Sequence, residues 1–180
     1  MTKICALGSS SSIIKGLISE LKDHEDFDIV LAGRRKTDDV FLDIRQGNIE
    51  RSLERIPLNC DVYVIALGVL YPKRINEQNS EETYNSLTVN LVFPVKLIEM
   101  LIDKNPVARI IVLGSESGIK GSYDTTYFLS KTAMASYVRE KHIKFKDQQL
   151  VMIAPPVIED SQMTMSREDI EQVYVQARTL

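Results

Sequence analysis

Short apolar runs and longer stretches of helical periodicity alternate along this chain. Lys3–Leu7, Asp28–Ala32, Val40–Leu42, Val62–Leu67, Arg109–Leu113 and Leu150–Ile153 are brief and rich in Ile, Val and Leu. They read as near-continuous apolar segments rather than as in-out alternation, which is the pattern of strands covered on both faces. Between them, Ser12–Lys22, Asn48–Ile56, Glu81–Lys104 and Tyr127–Phe145 carry apolar residues at helical spacing. In the third, Leu91, Val95, Leu97, Ile98 and Leu101 form a broad apolar face. In the fourth, Phe128, Ala133, Ala135, Tyr137 and Val138 pack among small residues. Ser166 and Asp169 have capping-box-like spacing ahead of Ile170, Val173, Tyr174 and Ala177, which predicts a last helix from Arg167. Tyr71–Ser80 is the longest polar connection, and long connections in compact domains are often functional. Strands alternating with helices imply parallel pairing with right-handed crossovers, an α/β fold.

Composition narrows the field of functions. The 180 residues are 44% hydrophobic and 26% charged, which fits one domain with a substantial core and excludes fibrous or disordered classes. No internal repeat or linker divides the chain, so residues 1–180 are read as a single domain. The formal net charge is -3, so neutralising a phosphate backbone is not expected and no nucleic-acid partner is assigned. No uninterrupted apolar run reaches membrane-spanning length, and no signal pattern opens the chain, so no membrane span is expected. Cys5 and Cys60 both lie in apolar stretches and read as buried thiols of a reducing, cytoplasmic protein. His24 and His142 are isolated, and no metal site is expected.

Candidate chemistry gathers at the ends of the strands. The first strand stops at Gly8 and passes through Ser9-Ser10-Ser11-Ser12 into a helix beginning Ile13-Ile14. A strand, tight turn and helix start can cradle a dinucleotide pyrophosphate on backbone N–H groups, and a plain capping turn has the same look. The second strand ends Ala32-Gly33-Arg34-Arg35. An acid at this place accepts from the adenosine 2′-OH, whereas a base suits a 2′-phosphate. With no acid at the strand tip, Arg34 favours NADP(H) over NAD(H), unless the two arginines are only a solvated turn.

The fifth strand runs into Gly114-Ser115-Glu116-Ser117-Gly118, and Tyr127 and Lys131 follow at a helix start. Four apart on a helix, they share a face, so the ammonium can sit near the phenol and favour phenolate. That suits a general acid/base near neutrality. A second such pair, Tyr137 and Lys141, lies mid-helix without the strand-end serine and reads as packing and surface charge.

In this order the residues resemble the short-chain dehydrogenase/reductase family. Gly8-x-x-x-Ser12-Ile13-Ile14 stands where the family has its glycine-rich turn, with Ser12 and Ile14 in place of two glycines. Bulky Ile14 is thereby expected where the backbone should approach the pyrophosphate. Asp43 matches the acid that contacts the adenine. Asn90, Ser115, Tyr127 and Lys131 match the catalytic tetrad, and Ala154-Pro155-Pro156-Val157-Ile158 the segment that approaches the nicotinamide, where Pro156 replaces a glycine. Within the family, Ala66-Leu67-Gly68-Val69-Leu70 is similar to bacterial keto-sugar reductases.

The resemblance implies a Rossmann-like doubly wound parallel sheet with helices on both faces. From the family pattern this sequence departs by a shortened C-terminus and by the few residues, Lys36–Asp39, between the second and third strands, which leave no room for the usual helix. The resemblance implies an NADP(H)-dependent oxidoreductase that interconverts a ketone, such as a keto-sugar, and an alcohol. In that scheme Tyr127 moves the proton and Ser115 orients the carbonyl. Lys131 binds the nicotinamide ribose and lowers the Tyr127 pKa, and Asn90 holds a relay water. The cofactor would lie on Gly8, Ser10, Ser11, Ser12, Ile13, Arg34, Asp43, Ala66, Gly68, Lys131, Pro155 and Val157. The partners implied are a small carbonyl substrate and a second copy, giving a homodimer or tetramer through helices 81–104 and 127–145, whose apolar faces, with Met134 and Tyr137 on the second, fit burial against a partner and packing on the sheet equally. The altered turn and Pro156 fit an alternative, a dinucleotide-binding sensor that kept the fold and lost turnover.

Overall fold

The computed structural model describes residues 1–44 and 48–156. Its six strands are β1 (Thr2–Leu7), β2 (Phe27–Gly33), β3 (Val40–Phe41), β4 (Val62–Ile65), β5 (Arg109–Leu113) and β6 (Gln149–Ile153). They form one parallel sheet in the order β3-β2-β1-β4-β5-β6. The order reverses between β1 and β4, and ligands of open α/β sheets sit at that switch, outside the carboxyl ends of the strands. The expected α/β, doubly wound architecture is the observed one.

Alternation along β1 divides the core into its two faces. Cys5 and Leu7 face one cluster, with Tyr63, Ile65, Ile110 and Val112 from the neighbouring strands. Ile4 and Ala6 face the other, with Val64 and Ile14. Helix α1 (Ser12–Leu21) covers the second face, while α2 (Ile49–Glu54) and α4 (Phe93–Lys104) cover the first. Only Arg34–Asp39 joins β2 to β3, so the chain crosses there without a helix, as its length demands.

The helix expected over 81–104 is three pieces in one run: α3 (Ser80–Leu87), a π-helical turn (Thr88–Val92) and α4. By length and apolarity Ser80–Lys104 could cross a membrane. Its Phe93, Leu97, Ile98 and Leu101 are instead fully buried against the sheet, the behaviour of a core helix. Two shorter helices follow, α5 (Ser117–Lys120), which the sequence pattern did not reveal, and α6 (Thr125–Glu140). Fully buried on α6 are Thr126, Tyr127, Ser130, Lys131 and Met134; of the apolar set read from periodicity, Tyr137 and Val138 pack partly buried against the core, while Ala133 is exposed. Polar side chains took the inward positions, and that hides the face from a hydrophobic pattern. The expected helix from Arg167 lies outside the described residues.

Candidate active site

The turn after β1 is built for close approach. Gly8 has φ +93°, and a Cβ on it would lie 2.4 Å from the Ala66 carbonyl oxygen, so only glycine fits between β1 and the loop after β4. The Gly8 N–H donates to the Ala32 carbonyl at 2.8 Å, and Ser11 N–H donates to the Gly8 carbonyl at 2.8 Å. Ser11 precedes α1 in extended conformation with no side-chain cap, leaving the first N–H groups of the helix to another acceptor. Ser10, Ser11, Ser12 and Ile13 are all half-buried around them. Ile14 is not in the way. It is fully buried against Ile4, Ala6, Val64 and Leu113, under the helix rather than above the turn. The expectation that it crowds the phosphates is therefore corrected: the side chain occupies helix–sheet packing space. A positive-φ glycine, a helix start without a side-chain cap and an Ile14 side chain turned into the core fit a dinucleotide pyrophosphate.

The other expected cofactor contacts ring the same edge. Arg34 is exposed past the end of β2. Asp43, half-buried beyond β3, accepts the Ser52 hydroxyl on its backbone carbonyl at 2.9 Å. Ala66 continues β4 by donating its N–H to the Leu7 carbonyl at 2.9 Å, and Gly68 is exposed one turn on. Pro155 closes β6 and accepts the Glu116 N–H at 3.2 Å, next to exposed Pro156. Val157 lies outside the described residues.

Tyr127 and Lys131 sit one turn apart on α6, 7% and 4% exposed. The Lys131 Nζ is 5.5 Å from the Tyr127 ring centroid and donates to the Leu113 carbonyl at 3.1 Å. That bond ties the start of α6 to the end of β5, two residues before Ser115. Burial, with no carboxylate partner among the described residues, brings the Lys131 ammonium down to about 8. Ser115 is half-buried, and its Oγ accepts the Ser117 N–H at 3.1 Å.

Asn90 is buried in the π-helical turn with its side chain fully engaged. Its Oδ1 accepts the Val69 N–H at 3.0 Å, and its Nδ2 donates to the Val69 carbonyl at 2.9 Å and to Ser86 Oγ at 3.1 Å. The amide thus grips the loop after β4 as a strand would.

Sequence reasoning missed what joins these parts. Asp124 caps α6 by accepting the Tyr127 N–H at 3.0 Å, and it also takes the Thr126 hydroxyl, Gln78 Nε2 and the Tyr71 N–H, at 2.9, 3.0 and 2.6 Å. Thr126 Oγ1 then reaches Ser86 Oγ at 3.0 Å, which leads to Asn90. All of these side chains are buried. The one legible signal was an Asp three residues before Tyr127, the spacing of a helix cap. Tyr137 and Lys141 both bind Glu99, so that second pair is a surface contact, as its context implied. Of the two places open to Met134, a partner interface or the sheet, it takes the second, 1% exposed in the core.

No family model matches the sequence, and no curated protein matches it. Solved structures do match in shape. An oxidoreductase of the short-chain dehydrogenase/reductase family from Brucella ovis superposes with a TM-score of 0.77 at 17% identity, over 97% of this chain and 92% of that one. A short-chain dehydrogenase family protein from Francisella tularensis gives 0.74 at 19% identity, over 100% and 78%. A 4-hydroxyisoleucine dehydrogenase complexed with NADH gives 0.76 at 17%, over 96% and 81%. The chain has the fold of the short-chain dehydrogenases and reductases.

Proposed function

We propose that this protein is a nicotinamide-dinucleotide-dependent oxidoreductase that interconverts a carbonyl compound and an alcohol. The observation that carries the proposal is the Tyr127–Lys131 pair, buried together at the carboxyl edge of the sheet, with Lys131 bound to the Leu113 carbonyl two residues before Ser115. The Gly8 turn on the same edge supports the cofactor assignment, as do the structural neighbours, one of them complexed with NADH.

The bound dinucleotide would supply or accept the hydride. Tyr127 gives its phenolic proton to the carbonyl oxygen during reduction and takes it back during oxidation. The Lys131 cation, beside the ring, favours the phenolate that remains and binds the nicotinamide ribose. Ser115 donates to the reacting oxygen and offsets its developing charge. Asn90 acts through Val69, fixing the loop that forms the far wall of the site. Gly8 and the start of α1 hold the pyrophosphate.

Arg34 and Arg35 favour NADP(H) by charge, whereas Asp38, folded over Gly33, opposes it. The Ala66–Leu70 segment points to a keto-sugar among carbonyl substrates. The free, buried thiols of Cys5 and Cys60 accord with a cytoplasmic location. Exposed Val92 and Leu129, on the helices expected to pair, support a dimer or tetramer. A second reading, a dinucleotide sensor without turnover, is favoured by Pro156, which offers no N–H beside the nicotinamide subsite.

The test is nicotinamide fluorescence on mixing with NADH or NADPH, followed by cofactor oxidation across a panel of ketones and keto-sugars. Binding with turnover is the expected result. Binding without turnover would leave the sensor reading, and no binding would remove both.

A further inference from the structure

The second strand ends without an acid, yet a carboxylate stands at its tip. Asp38, from the loop between β2 and β3, folds back so that Oδ2 accepts the Ser9 hydroxyl and the Arg35 backbone N–H, each at 2.8 Å. Gly33 admits it. A Cβ on Gly33 would lie 2.6 Å from Asp38 Oδ2 and 2.4 Å from Ser9 Oγ, so the carboxylate fills the space of the side chain that Gly33 lacks. Its anchor is firm, because Ser9 is 2% exposed in the turn after β1. The second oxygen, Oδ1, has no partner among the described residues. The neighbouring Asp39 is committed to the Leu31 N–H at 2.8 Å, which pins the loop from its other side.

An acid at this place in an open α/β sheet accepts from the adenosine 2′-OH, and its charge repels a 2′-phosphate. We infer that Asp38 sets the cofactor choice, and that the chain selects NAD(H) over NADP(H). The inference rests on the dinucleotide reading given above. It reverses the choice that the arginines alone imply, for a physical reason. Arg34 and Arg35 are exposed, where solvent and salt screen their charge, and Arg35 gives Asp38 only its backbone N–H. Asp38 is half-buried and held in place, so its charge acts at short range on whatever occupies the ribose position. The acid was hidden in the sequence because it lies five residues beyond the position it serves.

The test is a pair of fluorescence titrations of the full chain, with NADH and with NADPH, for the wild type, Asp38→Asn and Asp38→Ala. The wild type should bind NADH about tenfold or more tighter, the effect of one fixed like charge at short range. Asp38→Asn keeps the shape and an acceptor for Ser9 and Arg35, so the fold persists. It should strengthen NADPH binding and narrow the ratio about tenfold. Asp38→Ala should in addition weaken NADH several-fold, by loss of the acceptor. NADPH binding tighter in the wild type, or a ratio unmoved in Asp38→Asn, would overturn the assignment of Asp38 while leaving the dinucleotide reading intact. Failure of both cofactors to bind would remove that reading, and this one with it.

Discussion

Lys131 shows most plainly what the site costs the fold. Its ammonium is buried with one carbonyl for a partner and titrates at about 8, against an ordinary value near 10.5. Between those two values the unfolded chain holds a proton that the folded chain has released, so stability from this group rises with pH across that window. Below pH 8 the buried cation opposes folding by about 3 kcal/mol. Lys131→Met, similar in volume and uncharged, should therefore stabilise the protein by about 1–3 kcal/mol in urea unfolding at pH 7 and abolish turnover. Turnover in the unaltered protein should decline above about pH 8, as the cation is lost. An unchanged or lowered urea midpoint in Lys131→Met would mean that the ammonium is well solvated in the fold. Order and placement single out Tyr127, Lys131, Ser115 and Asn90 in the sequence, and the fold sets the Tyr127 and Lys131 side chains together. The carboxylate of Asp38 was not, because a backbone turn across Gly33 brings it home.

Among the elements, α6 departs furthest from its sequence pattern. A helix that buries Thr126, Tyr127, Ser130 and Lys131 shows little apolar periodicity, so the period rule found Tyr137 and Val138 but not the polar half of the face. What holds such a helix against the sheet is hydrogen bonding. Asp124 accepts from Tyr71, Gln78, Thr126 and Tyr127, joining the 71–80 loop to the start of α6. Asp124→Ala removes a cap and strands buried donors, which should cost about 2–4 kcal/mol. Asp124→Asn keeps an acceptor and should recover part of it. Thermal or denaturant melts of both variants measure this, and equal stability of Asp124→Ala and the wild type would show that the network is not structural. The break of 81–104 into two α-helices around a π-helical turn was equally invisible. That turn carries Asn90, which reaches Val69 across 21 positions of sequence, and local propensity carries no record of such a contact.

The whole molecule was easier to foresee than its joints. The inner strands β1, β4 and β5, covered on both faces, leave short apolar runs, and these announced the parallel sheet, although β6 half-exposes Val151 and Ile153. The 3-2-1-4-5-6 order then follows from right-handed crossovers and the reversal at β1, and it gathers the Gly8 turn, Ser115, Tyr127 and Lys131 along one edge. That gathering supports reading the fold as an enzyme rather than as a scaffold. The most direct measurement compares wild type and Tyr127→Phe for nicotinamide cofactor oxidation with a carbonyl substrate, beside cofactor binding by fluorescence. Loss of the phenolic proton should lower turnover by about a hundredfold or more while binding stays within about twofold. Undiminished turnover in Tyr127→Phe would contradict the account.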